Sequence, residues 1–134
     1  MARGGISFQG IGAKYVTVKA AGSVSAVVLA SGLASVIDKA VTCEGDGLYG
    51  FGNAGDPIRG IIDQYEADHH MTVQFAGFRE NIPGVSGALP SAASAAIAVN
   101  GAGAVSPVVT PVSPAYAVEV DGTADVNTVT VFIG

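Results

Sequence analysis

Asp63, Glu66, Asp68, His69 and His70 form the densest group of ionisable side chains in the chain. Carboxylates and imidazoles bind divalent metals when they converge, and alternate residues of an extended segment share a face. Glu66, Asp68 and His70 stand at that spacing. The flanks favour a plainer reading, because apolar runs at 58–65 and 71–78 turn the polar residues between them into the wet tip of a hairpin. Nucleophilic catalysis needs a serine or cysteine, a base and an orienting group. The only histidines are neighbours at this tip, and no Gly-x-Ser-x-Gly elbow occurs. Cys43 is the only cysteine, so no intramolecular disulfide can form, and it is expected as a small buried apolar residue. Glycines at 50–55 lead into Asp56-Pro57 and a strand, whereas a phosphate cradle needs a helix there. No catalytic residue, metal ligand or cofactor is expected.

The elements that would hold these residues are short strands. Residues 14–19 alternate around Tyr15, Val16 and Val18 and read as a strand. Residues 23–37 are ambiguous: Val24, Val27, Val28 and Leu33 give helical spacing, while the Val content favours a strand. Residues 37–43 read as a strand, and 48–51 as a short run bent at Gly50. Residues 52–57 form a turn ending on Pro57, followed by the hairpin. Residues 79–90, with Pro83 and Pro90, read as irregular. Residues 91–99 fit either a short helix or a strand that turns at Asn100-Gly101. Pro107, Pro111 and Pro114 exclude a central strand and mark a loop or an edge. Residues 116–120 and 126–133 close the chain as strands. Short strands separated by Gly/Pro turns predict an all-β sandwich or barrel, with one short helix at most.

The first twelve residues differ in kind. They are Gly-rich and free of acid, with Ile6, Phe8 and Ile11 interspersed. Fixing a residue costs about 1–2 kcal/mol of backbone entropy, so such a segment is expected as an arm ordered by contacts from elsewhere. A first strand paired within the fold is the alternative. The expected organisation is an arm at 1–12 and a single β domain at 13–134.

Composition narrows the function. Of 134 residues only 13% are charged, while 49% are hydrophobic, mostly Ala and Val, and Trp is absent. Low charge suits a surface partly covered by a partner. Charge is also unevenly placed: residues 1–37 contain Arg3, Lys14 and Lys19 and no acid, and every acid lies beyond them in a chain of net charge −5. An acidic chain without a basic stripe argues against nucleic-acid binding. No apolar run reaches the ~20 residues of a membrane span, and the N-terminus lacks the apolar core of a signal peptide, so use without secretion is expected.

Two resemblances follow from these residues. Arg59-Gly60-Ile61-Ile62-Asp63-Gln64-Tyr65 is similar to the Gly-x-Ile-Asp-x-x-Tyr motif of trimeric dUTPases, which implies Asp63 activating water and Tyr65 beside a deoxyribose. The aspartate-to-tyrosine spacing is one residue short, and neither a Gly-Arg-Ser-Ser motif nor a Gly-rich C-terminal arm with an arginine is present. A longer series spans about residues 36–133: Val41-Thr-Cys-Glu-Gly-Asp-Gly-Leu48, Gly55-Asp-Pro-Ile-Arg-Gly-Ile-Ile62, Met71-Thr-Val-Gln-Phe-Ala-Gly77, Gly87-Ala-Leu89, Ile97-Ala-Val-Asn-Gly-Ala-Gly-Ala-Val105 and Val129-Thr-Val-Phe-Ile133. Their order resembles the capsid decoration (cement) proteins of tailed bacteriophages. The resemblance implies a β-tulip-like barrel, a homotrimer, and attachment to the major capsid protein on the outer surface of the virion after synthesis in the host cytoplasm. It implies no active site. An apolar arm can add a strand to an exposed sheet edge; with the partner that the resemblance implies, Ile6, Phe8, Ile11 and Tyr15 are the expected capsid-binding residues. Another virion β module, such as a head-fibre base, tail protein or glycan binder, is the alternative.

Overall fold

Strand β4 (Gly60–Glu66) shows why the chain folds as it does. Its neighbours Ile61 and Ile62 are both fully buried but enter different cores. Successive side chains of a strand point to opposite faces, so β4 must be covered on both sides. The neighbouring strand in the sheet, β2 (Ala40–Gly45), repeats the pattern, with Ala40 in one core and Val41 in the other.

The computed structural model describes residues 10–66, 68–85, 97–107, 115–121 and 128–133. Within them the order is β1 (Lys14–Ala20), helix α1 (Gly22–Ser31), a 3-10 turn (Leu33–Val36), β2, β3 (Leu48–Gly50), β4, β5 (His70–Pro83), β6 (Ile97–Val99), β7 (Val105–Pro107), β8 (Ala115–Asp121) and β9 (Thr128–Ile133). The protein is an all-β domain, with one α-helix among the described residues. The large sheet runs β1-β3-β2-β4-β5-β9-β8, and β1 also pairs with β5. That extra pairing closes a ring of β1, β3, β2, β4 and β5. The closure is thin, because β1 meets β3 only through Lys19 and Ala20. β9 and β8 extend from the far half of β5, so the barrel is incomplete. β6 and β7 form a separate ribbon.

Two local expectations are corrected and one open alternative is resolved. Residues 79–83 are not irregular but continue β5 to Pro83, paired with β9 through Arg79–Val131 and Pro83–Thr128. A register shift between Arg79 and Ile82, with Asn81 at φ 63°, absorbs the polar residues that made the segment read as broken. The strand expected from residue 37 begins at Ala40. The ambiguous stretch 23–37 is α1 and the 3-10 turn. Neither start carries a side-chain cap, so burial of Val24 and Val36 holds this stretch in place. Gly32, at φ 94°, ends α1, its N–H donating to the Val28 carbonyl at 2.8 Å.

The turns that carry the longer resemblance have structural work. Gly55 donates its N–H to the Val99 carbonyl, and the Asp56 carbonyl accepts from the Val99 N–H, which ties the Gly-Asp-Pro turn to β6. Fully buried Gln74 donates from Nε2 to the carbonyls of Ala76 and Phe78, both at 3.0 Å. Asn100 accepts two backbone N–H bonds on Oδ1, from Ala102 and Ala104, and so closes the β6–β7 turn.

Candidate interaction surface

The ionisable tip is a β4–β5 hairpin with Glu66 opposite His70. Asp68 and His69 have positive φ, and Asp68, His69 and His70 are exposed. Among the described residues no group of three His, Cys, Asp or Glu side chains is placed to hold a metal. Asp63 points away from the tip's chemistry. Its Oδ1 accepts from Arg79 Nη1 at 2.5 Å, while Asp38 Oδ1 accepts from Arg79 Nε at 2.9 Å and Nη2 at 2.6 Å. The Arg79 side chain is only 6% exposed. Burial works against its charge, but the hydrogen bonds and charges of Asp63 and Asp38 outweigh burial, and its pKa is raised. The dUTPase-like heptapeptide thus supplies half of an internal ion-pair clamp.

One cluster lay beyond sequence reasoning. Ser25, in the first turns of α1, places Oγ 3.0 Å from His69 Nδ1 and 3.2 Å from Tyr65 Oη. The contact fastens the hairpin tip to the helix across 44 positions of sequence. It is a serine–histidine pair, but among the described residues no carboxylate hydrogen-bonds to His69 to orient it as a base.

A cleft of about 340 Å³ is lined by Ser23, Cys43, Glu44, Gly52, Asn53 and Asp56. Its carboxylates are engaged in loop structure. Glu44 Oε2 accepts from Ser23 Oγ at 2.6 Å and Gly52 N–H at 2.8 Å, and Asp56 Oδ2 accepts from Asn53 N–H at 2.9 Å. Cys43 is exposed, not buried as expected, because it follows Thr42 on the outer end of β2, where its thiol donates to the Gly45 carbonyl. No histidine lines the cleft to activate it.

The exposed apolar residues are differently distributed. Among the described residues the large hydrophobic side chains left exposed are Ile11, Tyr15, Val16, Leu29, Leu33 and Ile37. All lie in the acid-free first 37 residues. Ile6 and Phe8 lie outside the described residues. Ile11 is 55% and Tyr15 48% exposed. They sit where the N-terminal segment meets β5: Gly10 N–H donates to the Phe78 carbonyl, and Phe78 N–H donates to the Ile11 carbonyl at 3.0 Å. Tyr15 then pairs with Gln74 as β1 runs antiparallel to β5. The other edge of β1 meets β3 only at Lys19 and Ala20, so among the described residues the edge over 14–18 has no strand partner. Both faces of this strand are exposed as far as Thr17. An open edge with exposed apolar side chains is the geometry of strand addition. No family model matches the chain, and no curated protein matches it.

Proposed function

We propose that this chain is a structural virion protein that binds the outer surface of a bacteriophage capsid and stabilises the lattice at subunit junctions. The observation that carries the reading is the concentration of exposed large hydrophobics in the basic, acid-free residues 11–37, on a domain in which Asp38, Glu44, Asp56 and Asp63 are tied up in ion pairs or loop hydrogen bonds. Single exposed apolar residues are ordinary, but a segment gathering them marks a surface to be covered. The open edge of β1 would receive an extended segment of the major capsid protein. Ile6, Phe8, Ile11 and Tyr15 would make the apolar contacts. The β-tulip-like domain would act as a homotrimer, whose three weak attachments gain strength from effective concentration. The function is mechanical, a clamp across subunit junctions, with no catalytic step.

Attachment to expanded capsids assembled without this protein tests the reading. Removing residues 2–12 should reduce occupancy at least tenfold, as seen by co-sedimentation and by electron-microscopic reconstruction. Full occupancy by the truncated chain overturns the role of the N-terminal residues. Failure of the intact chain to attach overturns the capsid reading itself.

A further inference from the structure

The hydrogen bonds that anchor β1 fix which of its backbone groups are still free. Ala20 N–H donates to the His69 carbonyl at 2.7 Å, and the register with β5 is unbroken from Lys19–His70 back to Tyr15–Gln74. Bonded and unbonded residues alternate along an antiparallel pair. Val18 and Val16 therefore bond to Met71 and Val73, while Lys19, Thr17 and Tyr15 turn their N–H and C=O groups to the other edge. The contact with β3 gives the same phase. Ala21 N–H donates to the Tyr49 carbonyl at 2.8 Å in the parallel pairing of Ala20 with Tyr49, so the odd-numbered residues face β3. That pairing reaches no further than Lys19. Among the described residues, the backbone groups of Tyr15 and Thr17 have no strand to bond to.

Charge selects the occupant of this edge. Lys14 and Lys19 bracket it, both are exposed, and among the described residues neither forms an ion pair. Two copies of the edge would set lysine against lysine, and residues 1–9 of the same chain would add Arg3 and no acid. A segment bearing a carboxylate is complementary, and the two ends of the site differ. The Lys19 end is closed, since Leu48 already pairs there and Asp46 lies in the turn before it. The carboxylate therefore belongs at the Lys14 end. Between the ends, exposed Tyr15, Val16 and Thr17 alternate between the two faces of the strand and match apolar or β-branched residues on a partner.

We propose that the open edge of β1 takes an extended, acid-bearing segment of about four residues, bonded to the N–H and C=O groups of Tyr15 and Thr17 with its carboxylate beside Lys14. The inference rests on the capsid reading only for the protein that presents the segment; it adds the segment's chemistry and the backbone groups that hold it. Backbone bonds carry the affinity. The exposed ion pair adds little to it and mainly guides approach. One short strand binds weakly, so firm attachment needs several copies held together.

Amide exchange of the free chain is the first test. Tyr15 and Thr17 should exchange at least tenfold faster than Val16 and Val18, and equal protection of all four overturns the proposal. The second test adds a capped Glu-Val-Thr-Val-Glu peptide, at millimolar concentration, to the isotope-labelled full chain. The peptide should shift and protect the Tyr15 and Thr17 amides, and its counterpart with Lys for Glu should bind at least tenfold more weakly. No response, or equal binding of both peptides, overturns the proposal. So does protection of these amides that rises with protein concentration alone, which would make a second copy the occupant. On expanded capsids, Thr17→Pro should cut occupancy at least tenfold yet unfold close to the midpoint of the intact chain, because β5 does not use that N–H; Val16→Pro should unfold earlier. Full occupancy by a folded Thr17→Pro chain overturns the proposal and leaves the capsid reading standing; should that variant not fold, the exchange and peptide tests decide. If the acidic peptide binds as stated while the intact chain ignores capsids, only the capsid reading falls.

Discussion

Arg79 sits between two carboxylates that come from distant parts of the chain, Asp38 before β2 and Asp63 in β4. The guanidinium is nearly inaccessible, while each carboxylate keeps about a third of its surface in water. The two sides of the clamp should respond unequally to substitution. Arg79→Met leaves both acids unpaired beside an apolar side chain, but partial exposure lets water solvate them. We expect a loss of about 2 kcal/mol, below the 3–5 kcal/mol typical of fully buried pairs. Asp63→Asn keeps a hydrogen-bond acceptor and the Asp38 pair, and should cost about 1 kcal/mol. Urea unfolding with an unchanged slope checks both values, and equal costs would mean that Asp63 holds Arg79 alone. The pH dependence has a definite sign. A base whose folded pKa is raised contributes stability that is complete below its unfolded pKa and is lost as pH rises through the folded one. For Arg79 that window lies in strong alkali, so the clamp's contribution should be flat across neutral pH.

At the scale of elements, β5 organises the molecule. Its first half pairs with β1 and β4 and its second half with β9. Gly77 stands at the changeover, with φ 93°, where the N-terminal segment crosses. A Cβ there would come within 2.5–2.6 Å of the backbone of Gly12, Ala13 and Ile11. Backbone cannot yield as a side-chain end can, and a non-Gly residue is also strained at this φ. Gly77→Ala should therefore release the segment from β5, breaking the two bonds between Phe78 and residues 10–11. Hydrogen exchange at Gly10 and Phe78 should rise at least tenfold, while the β4–β5 pairing stays protected. Unchanged protection would show that the crossing does not depend on Gly77. The hairpin was legible in the sequence because its signals are local: apolar runs such as Ile61-Ile62 and a polar tip at Asp68. The length of β5 was not, since Arg79, Glu80 and Asn81 look like a loop until Asp38 and Asp63 arrive from elsewhere. Helix α1 was half legible. Its valines fit strand or helix, and the decision came from what Val24 packs against. The Ser25–His69 contact had no local signal, and Cys43 misled because a lone thiol carries no sign of which way its strand faces. The apolar residues at 11–37 were visible as composition, but only the fold distinguishes buried Val24 from exposed Leu29.

At the scale of the whole molecule the asymmetry of charge becomes an asymmetry of surface. Lys14 and Lys19 flank the exposed part of β1, whereas Glu66 and Asp68 occupy the hairpin tip beyond its Lys19 end. Two roles for these lysines can be separated. Lysine on an open strand edge discourages pairing with other strands, which protects a free chain from aggregation. Lysine beside a docking strand also steers an acidic partner toward it, an effect on association rate more than on affinity. If steering operates, Lys14→Glu with Lys19→Glu should slow attachment to capsids about tenfold at low salt while leaving final occupancy nearly unchanged. The difference should shrink as ionic strength approaches 0.15 M, where the Debye length falls to about 8 Å. If the lysines only guard the edge, the same variant keeps the original attachment rate and instead shows altered aggregation of the free protein. Attachment followed by light scattering across a salt series distinguishes the two. A salt-independent defect in final occupancy would contradict both roles and make the lysines direct contacts of the docked strand.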